Sequence, residues 1–293
     1  MFFTNKRFGG ICMKKLAMIG AGSIAEALIA GLVENQLLPG GNIYVTNRHD
    51  KNRLEQLYNQ YGVTTTYNLT ELFSNADVVI LAMKPKDAAT ALQNIKEHLT
   101  KDILIVSVLA GVSIKSIETL AGKRHSIIRA MPNTSAAIGK SATALAANDK
   151  VSEIQKNEIK KIFETVGLAT FVEEYQLDAV TGLSGSGPAY IYYLVEAMEK
   201  SAMEIGLEQK TAKELIIQTL LGAAEMLTKS PKPPQQLRRE VTSPGGTTEA
   251  GIRILDAHGV QRAVISCIKE ATAQSKRLGS MLSTEINKSK QLS

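Results

Sequence analysis

The stretch KKLAMIGAGSIAEALIAG, residues Lys14–Gly31, joins a short apolar run to a glycine pair and a helical pattern. Leu16–Ile19 is long enough for a buried strand, and apolar residues return at helical spacing after the glycines. Gly20, Gly22 and Ala25 follow the G-x-G-x-x-G/A pattern of dinucleotide-binding turns. In that pattern the first glycine permits the turn, the second admits a pyrophosphate, and the small third residue lets helix and strand pack closely. The stretch therefore predicts a phosphate site at the amino end of the first helix.

A glycine turn after a strand is also common as a purely structural feature, so the rest of the chain matters. Its first half alternates between strand and helix patterns, which favours the nucleotide interpretation and an α/β sheet that begins parallel and ends mixed. The further predicted strands are Ile43–Arg48, Thr64–Tyr67, Asp77–Met83, Ile103–Gly111, Ser126–Ala130, Ser141–Ala147 and Ala169–Val172. The helices predicted between them are residues 50–61, Asp87–Leu99, Ile114–Leu120 and Glu153–Val166.

The end of the second predicted strand bears on the choice of cofactor. NAD-binding domains place an Asp or Glu roughly 20 residues beyond the glycines, where it binds the ribose hydroxyl. This chain has Asn47 and Arg48 there. A guanidinium can pair with a 2′-phosphate, whereas a carboxylate would repel it, so the pair favours NADP over NAD. The alternative is an arginine that only faces solvent.

Two other strand ends are candidates for contact with the cofactor, because open α/β sheets bind ligands at the carboxyl ends of their strands. Pro85 stops the ladder after Ala82–Lys84, which makes Lys84 either a cofactor contact or a strand-end charge. Val108–Ala110 is small and apolar, as a neighbouring nicotinamide ring requires.

From Leu177 onward the pattern is helical throughout. The predicted helices are Pro188–Ile205, Lys210–Lys229, Gln235–Val241, Glu249–Ala257 and Val260–Leu278, followed by a polar tail, Ser283–Ser293, expected to fray. The first two helices carry more apolar residues than the surface of one subunit should, which predicts contact with another subunit.

Two glycine-rich segments in this half are candidates for chemistry. The glycines of Gly182–Tyr190, GLSGSGPAY, allow either close helix packing or an exposed backbone. In Ser243–Thr248, SPGGTT, a glycine pair leads into a helix, so several N–H groups can face one carboxylate. A well-capped helix with no ligand is the alternative for this second segment.

Composition excludes several classes of function. The net charge of +6 is spread among carboxylates, without the basic stripe and aromatics of a nucleic-acid surface. No apolar run is long enough to cross a bilayer. Residues 1–12 lack the features of a signal peptide and are interpreted as an extension before Met13. Cys12 and Cys267 form no disulfide framework, Cys267 is expected to be buried, and a reducing cytoplasm fits best.

The histidines are scattered, without the spacing of metal ligands, and each is expected at the surface. They are His49, His98, His125 and His258. No metal site is predicted.

With these motifs assembled, the chain from Met13 to Leu282 resembles pyrroline-5-carboxylate reductase, the last enzyme of proline biosynthesis. The resemblance rests on IGAGSIAEAL, on AMKP at Ala82–Pro85, on the MPNT loop, on DAVTGLSGSGPAY at Asp178–Tyr190 and on VTSPGGTTEAGI at Val241–Ile252. It implies a Rossmann-type, mostly parallel sheet domain followed by an all-α dimerisation domain. The corresponding boundaries are 1–12 for the extension, 13–174 for the NADP-binding domain and 175–293 for the helical dimerisation and substrate domain.

The resemblance also implies which residues bind the cofactor, NADPH with NADH possible, and the substrate. Those for NADPH are Ile19, Gly20, Ala21, Gly22, Ser23, Ile24, Asn47, Arg48, Asn68, Ala82, Met83, Lys84, Pro85, Val108, Leu109 and Ala110. Gly245, Gly246, Thr247 and Thr248 would hold the substrate carboxylate, and Glu174 aligns with a family position near the substrate.

The implied reaction is reduction of the cyclic imine 1-pyrroline-5-carboxylate to L-proline, with hydride passing from nicotinamide C4 to imine C5. Because a protonated imine is already an electrophile, positioning matters more than a strong base. Thr248, or a water, would handle the proton. The resemblance further implies a homodimer built by the helical domains, and assembly of dimers into larger rings, up to a decamer.

Two other functions compete with this interpretation. In β-hydroxyacid dehydrogenases a Lys and an Asn follow glycines like Gly182, Gly185 and Gly187, but here Ile191 and Val195 occupy those positions. An alcohol oxidation would therefore lack its base. A non-catalytic NADP-binding regulatory protein would be expected to lose SPGGTT, which this chain keeps.

Overall fold

The computed structural model describes residues 13–122 and 124–291, with side chains as far as residue 286. The predicted extension 1–12 lies outside the described residues. The chain divides into two compact units. One runs as far as Ser186 and resumes at Ala271, and the other comprises Gly187–Glu270.

The first unit is built on an 8-stranded sheet in the order β3-β2-β1-β4-β5-β6-β7-β8. Strands β1 to β6 are parallel, β7 is antiparallel to β6, and β8 is parallel to β7. The order reverses between β1 and β4, which is where open α/β sheets bind ligands. The strands are β1 Leu16–Ile19, β2 Ile43–Thr46, β3 Thr64–Thr65, β4 Val78–Leu81, β5 Leu104–Ser107, β6 Ile127–Met131, β7 Ser141–Ala147 and β8 Gly167–Phe171. The predicted mixed sheet is confirmed.

Helices cover both faces of the sheet, so the parallel strands are buried on both sides. Leu16 and Met18 of β1 belong to one apolar cluster, and Ala17 and Ile19 belong to the other. This is why β1 reads as a continuous apolar run. The helices that precede Gly187 in this unit are α1 Ser23–Glu34, α2 Lys51–Tyr61, α3 Leu69–Phe73, α4 Ala88–Ile95, α5 Ile114–Ala121, α6 Glu153–Glu164 and α7 Leu177–Val180.

The second unit is helical and buries little of its apolar surface. Its helices are α8 Gly187–Glu204, α9 Gln209–Lys229, α10 Pro234–Glu240, α11 Thr247–Ala257 and the first part of α12 Val260–Gln291. Throughout Gly187–Glu270, a segment described without gaps, the buried apolar side chains are those of Ala202, Ala212 and Ile216. Large apolar side chains that stay exposed include Tyr193, Ile205, Leu215, Leu221, Ile254 and Ile265.

Several expectations about element bounds are corrected. The predicted strands Ile43–Arg48, Asp77–Met83 and Ile103–Gly111 end earlier, at Thr46, Leu81 and Ser107, where their pairing with the neighbouring strands ends. The predicted helix Asp87–Leu99 is α4 flanked by 3₁₀ turns, Pro85–Asp87 and Lys96–His98. Helix α3 was not predicted, since its 5 residues are too few to show a period.

The C-terminal tail is also corrected. Ser283–Gln291 continues α12, and Ile286 is buried against the apolar cluster that contains Ile19. A polar sequence therefore remains helical because one apolar side chain anchors it to the sheet domain.

Two further expectations about burial were wrong. Cys267 is exposed, because it lies on an outward face of α12 in the single chain. His125 is 1% exposed, and it lies two residues before β6, where the chain enters the sheet. Within the described ranges no helix combines the length and apolar character that a bilayer crossing requires. Among those same residues, no cluster of histidine, cysteine and acidic side chains could hold a metal ion.

Candidate nucleotide site and carboxylate-binding loop

The glycine turn after β1 is fixed by backbone contacts on both sides. Gly20 N donates to Thr46 O at 2.8 Å, and Ala82 N donates to Ile19 O at 2.8 Å. Gly20 has φ +113°, and a Cβ added there would overlap the Ala82 carbonyl group. Only glycine meets both conditions, a positive φ and direct contact with the next strand.

Gly22 differs from Gly20, because a Cβ added to it meets nothing within 4 Å. It is the N-cap of α1 in extended conformation, and its carbonyl accepts the first helical bond, from Glu26 N at 2.9 Å. The N–H groups of Ser23, Ile24 and Ala25 precede that bond and lie at the positive end of the helix dipole. Open space beside Gly22 together with these donors fits a pyrophosphate.

A polar network lies behind this turn, with Arg53 at its centre. Arg53 Nε donates to Ala21 O at 2.8 Å, and its Nη2 pairs with Glu26 of α1. The hydroxyl of Tyr61 donates to the other oxygen of Glu26 at 3.4 Å. Burial, and then the Glu26 charge, raise the pKa of Tyr61 above its ordinary value of 10.0. Sequence reasoning missed Arg53, because a single basic residue in an amphipathic helix is typical of a solvated face.

At the exit of β2 the two predicted cofactor residues have different environments. The Asn47 amide folds back on its own loop: its Nδ2 donates to Asp50 O at 2.6 Å and its Oδ1 accepts from Asp50 N at 2.9 Å. Tyr67 also donates to Asn47 Oδ1, at 3.0 Å. Arg48 has a side chain 82% exposed, with a 3.8 Å ion pair to Asp87 at the exit of β4. The Arg48 guanidinium is therefore an exposed cation at the exit of β2.

The remaining predicted cofactor residues follow neighbouring strands at the same level of the sheet. Val108 N donates to Leu81 O at 3.0 Å, which continues the ladder one residue past β5. Lys84 is exposed, whereas Leu109 is 3% exposed and packs in the core, leaving its partly exposed neighbours Val108 and Ala110 to offer surface to a ligand. Asn68 caps α3, its Oδ1 accepting from Thr70 N and Glu71 N.

Glu174 has a structural environment within the first unit. Its Oε1 accepts from Ile114 N at 2.8 Å, at the amino end of α5, and from Arg129 Nη1 at 3.0 Å. The side chain of Arg129, on β6, is 12% exposed. The carboxylate of Glu174 thus links the start of α5 to a nearly buried cation.

The loop after β6 is joined to the GLSGSGPAY segment. Asn133 Nδ2 donates to Ser184 O at 3.0 Å. Ser184 belongs to a π-helical turn, Thr181–Gly185, in which Ser186 N donates to Thr181 O at 2.9 Å. Such turns are rare and are frequent at functional sites, and the sequence pattern did not reveal this one.

The second glycine turn, in the helical unit, precedes α11. Gly245 has φ +72°, and Gly246 is the N-cap of α11. Gly245 N donates to Glu249 Oε2 at 2.7 Å, so this amide already binds a carboxylate from within the chain. Thr247 and Thr248 are exposed in the first turn of the helix. The loop thus has the donors and the dipole direction that an anion requires.

Comparison with known proteins identifies the family. A family model described as pyrroline-5-carboxylate reductase dimerisation matches residues 174–278, and one described as NADP oxidoreductase coenzyme F420-dependent matches residues 15–111. The chain is 48% identical to pyrroline-5-carboxylate reductase 2 of Bacillus subtilis over 90% of this chain and 94% of that protein. It is 37% identical to the pyrroline-5-carboxylate reductase of Pseudomonas aeruginosa over 92% of this chain and 98% of that protein.

The chain belongs to the pyrroline-5-carboxylate reductase family. Solved pyrroline-5-carboxylate reductases agree with the fold as well. The structure from Coxiella burnetii has TM-score 0.84 and 39% identity, covering 91% of this chain and 98% of that chain. A Plasmodium falciparum pyrroline carboxylate reductase, solved with NADP bound, has TM-score 0.83 and 29% identity, covering 92% and 100%. An archaeal ketol-acid reductoisomerase, 15% identical with TM-score 0.63, shares the fold alone.

Proposed function

We propose that this chain reduces 1-pyrroline-5-carboxylate to L-proline with a nicotinamide cofactor. The observation that carries the proposal is that the chain matches members of the reductase family along nearly its whole length. When bound, the reduced nicotinamide supplies the hydride for the imine carbon. The protein's own contribution is to bind, to orient and to exclude water around the reacting atoms.

The glycine turn and α1 bind the pyrophosphate in this proposal. Gly22 leaves the necessary space, and the first-turn amides of α1 donate to the phosphate oxygens. Val108 and Ala110 present a small apolar surface to the nicotinamide, which holds the ring without competing hydrogen bonds.

Arg48 supports a preference for NADPH over NADH. Its guanidinium is 82% exposed, and its ion pair with Asp87 is long at 3.8 Å. A 2′-phosphate therefore displaces little when it pairs with Arg48. We expect Arg48→Ala to raise the KM for NADPH about tenfold and to change the KM for NADH less than about twofold. Equal changes for the two cofactors would contradict this role.

Gly245–Thr248 holds the substrate carboxylate in this proposal. The hydrogen bond from Gly245 N to Glu249 supports this role, because it shows that the Gly245 amide can bind a carboxylate. Thr248 is the second residue of α11. In this proposal the Thr248 hydroxyl, or a water, bonds the ring nitrogen and delivers the solvent proton that makes the imine an electrophile.

The proposal is tested by NADPH oxidation with pyrroline-5-carboxylate. We expect turnover by the wild type and a fall in kcat of about 100-fold for Thr248→Ala, the lower range for loss of a positioned proton donor. Thr248→Ser should keep most of the activity. Thr242→Ala is the matched control, because the Thr242 hydroxyl bonds Arg238 O outside the loop. Absence of wild-type turnover with either cofactor would refute the assignment.

We also propose a homodimer formed through the helical unit, with dimers assembling as far as a decamer. The exposed apolar side chains of α8, α9 and α11 support self-association, since a monomer rarely leaves so many of them in water. The dimerisation family model covers the same helices. Mass measurement in solution distinguishes a dimer from a decamer.

A further inference from the structure

The network behind the glycine turn has no role in the reaction as described so far. Arg53 lies in the first turn of α2, and its side chain is 24% exposed. Its Nε donates to Ala21 O, its Nη2 pairs with Glu26, and its Nη1 approaches Gln56 Oε1 at 3.4 Å. The Arg53 guanidinium thus contacts three partners within the chain, whereas that of Arg48 is largely exposed.

The bond to Ala21 O controls the orientation of one peptide group. A peptide unit is planar and trans, so its carbonyl and the following N–H point in opposite directions. Holding Ala21 O toward α2 therefore directs Gly22 N–H away from α2. Gly22 is the residue whose Cβ position is open space. Arg53 thus sets the direction of the amide that faces the pyrophosphate.

The pair with Glu26 controls charge at the same place. Glu26 lies in the first turn of α1, beside the amides that receive the phosphates. An uncompensated carboxylate there would repel a pyrophosphate. Because the Glu26 side chain is only 30% exposed, solvent screens it incompletely, and Arg53 supplies the neutralising charge.

We propose that Arg53 is a positioning residue for the pyrophosphate, and that it acts equally on NADPH and NADH through Ala21 and Glu26. This inference rests on the proposed cofactor site but not on the identity of the imine substrate. It divides the work between two arginines of the same segment: Arg53 sets affinity for any dinucleotide, and Arg48 selects the 2′-phosphate.

Calorimetric titration of the whole protein with NADP⁺, NAD⁺ and 2′-AMP tests this division. We expect Arg53→Met to weaken NADP⁺ and NAD⁺ by a similar factor, about tenfold, the effect of losing a charge-assisted hydrogen bond. Binding of 2′-AMP, which has no pyrophosphate, should stay within about twofold of the wild type. Arg48→Ala should give the opposite pattern, weakening NADP⁺ and 2′-AMP and sparing NAD⁺. Arg53→Lys, which keeps the charge but not the fork, should lie between wild type and Arg53→Met and covers the case in which the methionine variant does not fold.

A second pair of variants separates the two effects of Arg53. In Arg53→Met the Glu26 carboxylate loses its cation and keeps the Tyr61 hydroxyl as a donor. Adding Glu26→Gln should therefore recover about threefold of the lost NADP⁺ affinity, because the two neighbouring sites are coupled. Equal weakening of 2′-AMP, weakening of NADP⁺ alone, or a fall in thermal stability with unchanged dinucleotide affinity would each overturn the inference. If wild type binds NADP⁺ with this pattern but does not reduce the imine, the proposed function fails and the role of Arg53 stands.

Discussion

The two glycine turns of this chain use the same local device in very different surroundings. Each places a positive-φ glycine before the amino end of a helix, Gly20 before α1 and Gly245 before α11. A Cβ on Gly20 would overlap the backbone after β4, whereas a Cβ on Gly245 meets nothing within 4 Å. The first turn is packed by the chain's own core, and the second stands open on an exposed helix.

This difference extends to the units that carry the turns. The sheet unit buries its strands on both faces, so its turn is packed within a single chain. Helix α11 contains no buried residue, and the unit around it leaves most large apolar side chains exposed. The proposed nucleotide site therefore lies on a unit with its own core, whereas the proposed carboxylate loop lies on helices whose apolar surface a second copy would cover in the proposed dimer.

The largest effect is expected when each glycine of the packed turn, Gly20 and Gly22, is replaced by alanine. Gly20→Ala should destabilise the fold by about 2–4 kcal/mol, because it combines a strained φ with backbone overlap. Gly22→Ala is the matched control: its φ is −79° and its Cβ is unobstructed, so the free energy of unfolding should change by less than about 0.5 kcal/mol. Its NADP⁺ affinity should fall about tenfold, since the methyl occupies phosphate space. Thermal unfolding and NADP⁺ titration measure both, and wild-type stability of Gly20→Ala would contradict the steric argument.

The open unit is tested by a charge on its apolar surface. Leu221 on α9 is 55% exposed in the single chain. If a second copy covers it, Leu221→Glu places an unpaired charge in the interface, at a cost of about 3 kcal/mol or more. We expect the oligomer to dissociate, as measured by light scattering, and the reductase activity to be lost.

Thr219→Glu is the control for that experiment, with the same charge at an exposed polar position on the opposite side of the same helix. It should leave the oligomer and the activity unchanged. A Leu221→Glu protein that keeps the wild-type mass would show that α9 is not covered, and the comparison between the two units would fail.

The smallest effect is expected for a substitution of Glu174, which tests whether this residue has a structural role or contacts the substrate. Glu174→Gln keeps an acceptor for Ile114 N but removes the charge that faces Arg129. Because the pair is partly exposed, we expect a loss of about 1–2 kcal/mol in the free energy of unfolding and a KM for the imine within about twofold of wild type. Glu173→Gln, at an exposed neighbouring carboxylate, should change neither. A raised substrate KM at unchanged stability would instead support the substrate role implied by the family resemblance.

Much of this architecture was predictable, because the strongest signals are local. A strand that is buried on both faces reads as one apolar run, as Leu16–Ile19 does, and the glycine turn follows it directly. Strand ends and short helices were less predictable, since Thr46 and Leu81 stop their strands at the sheet edge and not at a breaker in the sequence. Helix α3 shows itself only through its Asn68 cap.

The side chains around the site depended on long-range contacts. Asn47 and Arg48 are adjacent in sequence, yet the Asn47 amide bonds its own loop, whereas the Arg48 side chain is exposed and has a long ion pair with Asp87. The role of Arg53 depends on the packing of α2 beside α1. This packing brings the Arg53 guanidinium to Ala21 O, 32 residues away in sequence. No periodicity in the sequence records such a contact.

The sequence by itself determined the sheet domain, the helical domain, both glycine turns and the family, because each depends on short-range pattern or on motif. Tertiary structure alone decided that His125 is buried, that Ile286 anchors the C-terminal helix, and that Glu174 faces Arg129. The physical reason is that burial and charge pairing are set by which segments meet across the fold. Local pattern fixes what a segment forms, and not what it touches.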